Sequence, residues 1–162
     1  MKYIIITILL SGFITAKAQE NAFDFWIGTW DLTWTDAEGN TKKGINIIER
    51  TMNEKIIQEN FSTLDEAPEN RYKGKSWSVY NPITKTWNQT WVDNGGGYLD
   101  FEGEILEDKR FFKRSFLAKN GNTIYQRMVF FDIEKDSFSW KWESSTDREN
   151  WKVNWSIKYR RK

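Results

Sequence analysis

What most constrains this chain is a succession of short segments, from Trp30 onward, in which apolar and polar residues alternate between hairpin-length turns. Trp30, Leu32 and Trp34 alternate with Asp31, Thr33 and Thr35, the pattern of a strand with one buried face. The same form returns over residues 43–52, 55–63, 74–80, 86–93, 98–105, 110–118, 123–133, 138–144 and 152–160. Asn81-Pro82, Asn94-Gly95-Gly96-Gly97 and Lys119-Asn120-Gly121-Asn122 supply turn chemistry between them. About ten strands at near-regular spacing, with no long amphipathic helix, predict an all-β domain. An antiparallel up-and-down β-barrel fits better than a sandwich, because closure removes exposed edges and the chain has no long crossover connections. Ahead of the first strand, Asn21 is placed to cap a short N-terminal helix through Phe23, Phe25, Trp26 and Ile27 that Gly28 ends.

Residues 1–18 read as a secretory signal peptide: Met1-Lys2, an apolar run over residues 3–10, then Ala16-Lys17-Ala18 before Gln19. The expectation is one domain over residues 19–162, exported to the periplasm or secreted. The apolar run is shorter than the roughly 20 residues a spanning helix needs, and no second one follows, so no integral membrane segment is expected in the mature chain. The sequence has no cysteine, which excludes a disulfide framework and lipid attachment through a thiol. It has no histidine either, which removes Ser-His-Asp and Cys-His catalysis, a histidine-ligated haem and an ordinary zinc site. With no spaced Asp/Asn loop for calcium, no metal and no cofactor are expected. Removal of Lys2 and Lys17 with the leader takes the formal net charge from +1 to −1, and no basic stripe of the kind that binds nucleic acid is present.

Several segments carry a family resemblance. Phe23-Asp24-Phe25-Trp26-Ile27-Gly28-Thr29-Trp30-Asp31, then Tyr80-Asn81-Pro82 with Trp87-Asn88-Gln89-Thr90-Trp91-Val92-Asp93, then Trp142-Glu143-Ser144-Ser145-Thr146-Asp147 with Trp151, and Tyr159-Arg160-Arg161 together resemble a bacterial family of exported lipocalin-like proteins, domain of unknown function 1579 (DUF1579). The Gly28-Thr29-Trp30 triplet looks like the Gly-x-Trp signature of calycin barrels. The resemblance implies a lipocalin-like, calycin-type barrel without an assigned activity. Thr29 and Asn81 depart from the expected Glu and Asp, and the loop after Asp147 reads Arg148-Glu149-Asn150 rather than being glycine-rich.

Trp87, Gln89, Trp91 and Asp93 share one strand face, where two indoles flanking an amide and a carboxylate make either a ligand-lining stripe or ordinary barrel core. Ile57, Glu59 and Phe61 share another, which places a carboxylate among apolar neighbours and calls for a partner. Arg127, alternating with Tyr125, Val129 and Phe131, is the natural candidate; a Glu59–Arg127 pair would orient a polar ligand group or stand as an internal ion pair. If Glu59 instead lies near Asp93, repulsion would raise one pKa and create an acid–base pair, the best catalytic hypothesis available. Trp142 joins Glu59, Trp87, Gln89, Trp91 and Arg127 as a candidate ligand-binding residue. Gly95-Gly96-Gly97 reads as a mouth loop rather than a phosphate cradle, since no helix follows it. The Ser144-to-Trp151 segment resembles an Asp-box turn.

These features favour a non-enzymatic barrel holding a small, partly apolar molecule as a carrier or sensor. Two alternatives stay open: an isomerase, cyclase or hydrolase using Glu59 or Asp93, and a carbohydrate-binding module using exposed tryptophans. A carrier predicts paired carboxylates, an enzyme an unpaired and perturbed one, a sugar binder a row of outward indoles. Trp30 is expected at the closed end, under a lid made by residues 23–27 and beneath Arg160 or Arg161 from the last strand.

Overall fold

Alternation gives every strand two faces, and here one of them is enclosed. The structure, a computed structural model, describes residues 19–162; the expected leader lies outside the described residues. Ten strands follow one another: β1 (Gly28–Thr35), β2 (Thr41–Thr51), β3 (Ile56–Thr63), β4 (Lys73–Asn81), β5 (Thr86–Asp93), β6 (Tyr98–Leu106), β7 (Lys109–Leu117), β8 (Thr123–Phe131), β9 (Ser137–Ser145) and β10 (Lys152–Arg161). Each pairs antiparallel with its neighbours in sequence and β10 returns to β1, so the sheet is a closed up-and-down barrel, as the alternation predicts. Trp30 and Leu32 point inward, with Ile48, Ile57, Phe112, Phe130, Phe138 and Ile157 from other strands, and all are buried.

One end is sealed by the segment before β1. Where the sequence predicts a short capped helix, there is a single 3-10 turn, Asp24–Trp26, without a side-chain cap. The tight turn lets neighbouring rings reach different parts of the barrel end. Phe23 stacks on Phe112 at 4.5 Å, Phe25 meets Phe138 edge-on at 5.4 Å, and Trp26 meets Phe130 edge-on at 5.3 Å. Barrel side chains bind the carbonyls this irregular backbone leaves over. Trp87 Nε1 donates to Gln19 at 2.8 Å, Arg110 Nε to Ala22 at 3.0 Å, and Trp30 Nε1 to Trp26 at 2.8 Å.

Arg161 completes the seal. Its guanidinium lies 4.2 Å over the Trp30 ring and donates to Ile27 at 2.9 Å and Phe25 at 3.4 Å. Gly28 has φ +140, a conformation L side chains rarely adopt, and a Cβ there would strike the Arg161 guanidinium. The Gly-x-Trp triplet is thus the clearance through which the last strand reaches the first.

At the other end two ladders stop early. β1 and β10 pair only from Trp30↔Arg161 to Thr33↔Lys158, and β6 and β7 only from Glu102↔Lys113 to Leu106↔Lys109. The barrel is therefore split in two places at its open end, while the β5–β6 ladder is interrupted on the opposite side, ending at Asn88↔Glu102 short of Trp87. Trp30→Ala is expected to destabilise the fold by ~3–5 kcal/mol, measured by urea denaturation, because a fully buried indole and its stacking contact with Arg161 are lost together. A variant that unfolds like the parent would remove the seal from its central place.

Candidate functional site

Between the sealed end and the open rim the interior is not filled. A cavity of about 410 Å³ lies there, walled by Phe61, Trp91, Phe101, Met128, Trp140 and Trp142, with Trp26 and Ile157 also on its lining. Eight of the ten tryptophans, Trp26, Trp30, Trp34, Trp87, Trp91, Trp140, Trp142 and Trp155, belong to or pack against the core. Trp91 lies flat against β4 because Gly74 has no side chain; a Cβ there would fall within the indole.

A polar seam crosses the wall from β10 to β5. Asn46 Nδ2 donates to Glu59 Oε1 at 2.6 Å and to the Tyr159 hydroxyl at 3.3 Å. Ser76 Oγ donates to Glu59 Oε2 at 2.6 Å, and Gln89 Nε2 donates to Ser78 Oγ at 2.9 Å and to Ser76 Oγ at 3.4 Å. Glu59 is 6% exposed, and among the described residues no cation pairs with it. Burial pushes its carboxyl up to about 7, and the hydrogen bonds from Ser76 and Asn46 only partly oppose that. Burial likewise raises the Tyr159 phenol, so it stays protonated.

The candidate residues separate into three places. Glu59, Trp91, Trp142 and Asp93 line the cavity. Gln89 faces the interior with its Nε2 on Ser76 and Ser78 and its Oε1 buried without a partner, while Trp87 belongs to the seal, 5.1 Å from Phe23 and bonded to Gln19. Arg127 is on the outer face, so the Glu59–Arg127 pair does not form. Its Nε donates to Glu143 Oε2 at 2.7 Å, directly across the β8–β9 ladder, and its guanidinium covers Trp151 at 3.8 Å. The reason is that β8 is apolar on both faces. Val129 is buried outside and Met128 and Phe130 inside, so alternation alone cannot orient it.

Asp93 does not act on Glu59 as the acid–base alternative requires. Burial raises its carboxyl, but donors from Gly97, Trp91, Tyr72 and Gly95, each at 2.9 Å, together hold it below the usual range. The Tyr72 hydroxyl that serves it is pushed up to about 12, by burial first and then by that carboxylate. Asp147 plays a turn role: its side chain accepts from the backbone of Glu149 and Asn150 and from the Asn150 amide, each at 2.8 Å.

Asn46, Ser76, Tyr159, Arg114, Gln126 and Tyr72 join the site without having been singled out in the sequence. Arg114 carried a signal, a cation sharing a strand face with Phe112 and Phe116. Asn46 carried a contrary one, because Ile45 and Ile47 on the outer face of β2 look like the buried set.

No family model matches the chain, and no curated protein matches it. Among solved structures, Rv2717c from M. tuberculosis is similar over 89% of this chain and 97% of that one, with 10% identity and a TM-score of 0.55. The likeness is one of fold. A redesigned β-barrel also aligns, over 88% of this chain and 96% of its own, with 11% identity and a TM-score of 0.46.

Glu59 links this site to stability. Its pKa rises from 4.5 to about 7 on folding, so between those values the folded protein keeps a proton that the unfolded chain has released. Stability therefore falls as pH rises through that window, by about 3 kcal/mol for a shift of this size. Glu59→Gln should match the parent near pH 4.5 and exceed it at pH 8 in denaturation experiments at both pH values. Parallel behaviour of the two proteins across the range would refute the assignment.

Proposed function

We propose that the protein binds a small, mainly apolar molecule inside the barrel and serves as an exported carrier or sensor. What carries the reading is the 410 Å³ cavity, whose aromatic lining encloses one buried carboxyl held by neutral donors. The volume lies within the roughly 300–1,000 Å³ of small-molecule pockets, and aromatic walls with a few polar groups are their usual composition. Export and kinship with the DUF1579 family belong to the same proposal, resting on the leader-like residues 1–18 and on the segment from Phe23 to Asp31.

A second reading has its own support. Among the described residues Glu59 has no cationic partner, and burial lifts its carboxyl to about 7, the condition for a general acid or base, so catalysis on the bound molecule fits the same cavity. The carbohydrate reading finds less: by strand alternation and contact, only Trp77 and Trp151 face outward, and Trp151 is covered by Arg127.

Native mass spectrometry of the protein from its own source, with quenching of interior tryptophans by a lipophilic probe, tests occupancy. A co-purifying small molecule and quenching that weakens in Trp91→Ala are the expected results. Neither a bound mass nor quenching in the parent would end the interior-binding reading. Catalysis would show as turnover lost in Glu59→Gln while binding persists.

A further inference from the structure

Interior binding leaves the class of molecule open, and the hydrogen-bonding capacity of the cavity lining narrows it. Two residues of that lining have a buried polar atom without a partner, Trp26 at Nε1 and Arg114 at Nε, and both atoms are donors. In the seam behind it Asn46 Oδ1 and Gln89 Oε1 are unpartnered acceptors, so the two kinds of vacancy lie in different places, and it is at Trp26 and Arg114 that an occupant must bring an acceptor.

Arg114 is the one cation among the lining residues, and among the described residues it makes no ion pair. Its Nη1 donates to Gln126 Oε1 at 2.7 Å, which leaves the edge formed by Nε and Nη2, the fork that fits a carboxylate bidentately. The two acids of the lining are engaged elsewhere. Asp93 already accepts four donors, and Glu59 accepts Asn46 and Ser76.

Position adds to this. Arg114 is the first residue of β7 beyond the end of the β6–β7 ladder at Glu102↔Lys113, so it stands where the wall splits. Phe101 and Phe116 flank its guanidinium, with ring centroids at 6.0 and 5.0 Å. A charged head held there sits at the slot while an apolar body reaches toward Trp91, Trp142 and Met128. At ~30 Å³ per water-sized group, the cavity accommodates a body of roughly 14 such groups.

We infer that, given interior binding, the site selects a compact apolar monocarboxylate, with Arg114 receiving the acid at the slot between β6 and β7. Binding of 1-naphthoate and of 1-naphthalenemethanol, the same ring system with an alcohol in place of the acid, tests this by isothermal titration at about pH 5.5, where the acid is ionised and Glu59 keeps its proton. The parent should bind the acid about tenfold or more tighter than the alcohol, since a charge-assisted bidentate contact is lost with the acid. Arg114→Gln should bind the alcohol as the parent does and lose the preference, and Arg114→Lys should keep part of it. Equal binding of both compounds by the parent, or a preference that survives in Arg114→Gln, overturns the carboxylate assignment and leaves interior binding standing. If neither compound binds the parent, the carboxylate assignment falls, and interior binding is decided separately by the co-purified mass and the quenching of the interior tryptophans.

Discussion

Arg161 lies over the Trp30 indole while two of its nitrogens bind the carbonyls of Ile27 and Phe25, so one side chain of the last strand holds the first strand and the sealing segment together. Much else depends on this arrangement. Closure of a sheet requires the first and last strands to meet in a defined register, and here only four residue pairs join them, from Trp30↔Arg161 to Thr33↔Lys158. The stacked cation sits at one end of that short ladder, and the Lys162 N–H extends it by donating to Thr29 at 2.9 Å. With the seal rigid, the opposite end is free of the need to be packed solid.

The interior accordingly divides by chemistry. Aromatic rings fill the sealed half and satisfy its irregular backbone with indole and guanidinium donors. The open half keeps space, and its polar groups are arranged along one side: Tyr159, Asn46, Glu59, Ser76 and Gln89 form a chain of hydrogen bonds, while the facing wall is Phe101, Met128 and Trp142. A buried carboxyl without a counter-ion is an unfavourable feature for stability alone, because a low-dielectric interior disfavours its charge. Neutral donors on both oxygens reduce that penalty without removing it.

Much of the fold was legible in the residues. The strand pattern, the barrel, the role of Trp30 and the stacking arginine follow from alternation and from the Gly28-Thr29-Trp30 triplet. The interior stripe of β5 was legible too, though its members divide between seal, seam and cavity, a matter of height along the barrel that alternation does not record. What alternation could not supply was the facing of strands apolar on both sides. In β8 that ambiguity put Arg127 on the wrong face, and in β2 the outward Ile45 and Ile47 concealed Asn46. Partners set by register, such as Arg127 with Glu143, become visible only when strands are paired.

The two shortened ladders divide the open rim unequally. Strands β7 to β10 form a four-stranded jaw and β1 to β6 a six-stranded one, joined to each other at the sealed end through the β1–β10 and β6–β7 ladders. The cavity lining is shared between them: Arg114, Met128 and Trp142 belong to the smaller jaw, Glu59, Trp91 and Phe101 to the larger. The jaws touch across one split through Arg114 and Phe101 and across the other through Trp155 and Trp34, whose rings are 5.4 Å apart. Separation at the rim would therefore break side-chain contacts and no ladder hydrogen bond between the jaws, so the two splits are the places where the wall is held least strongly.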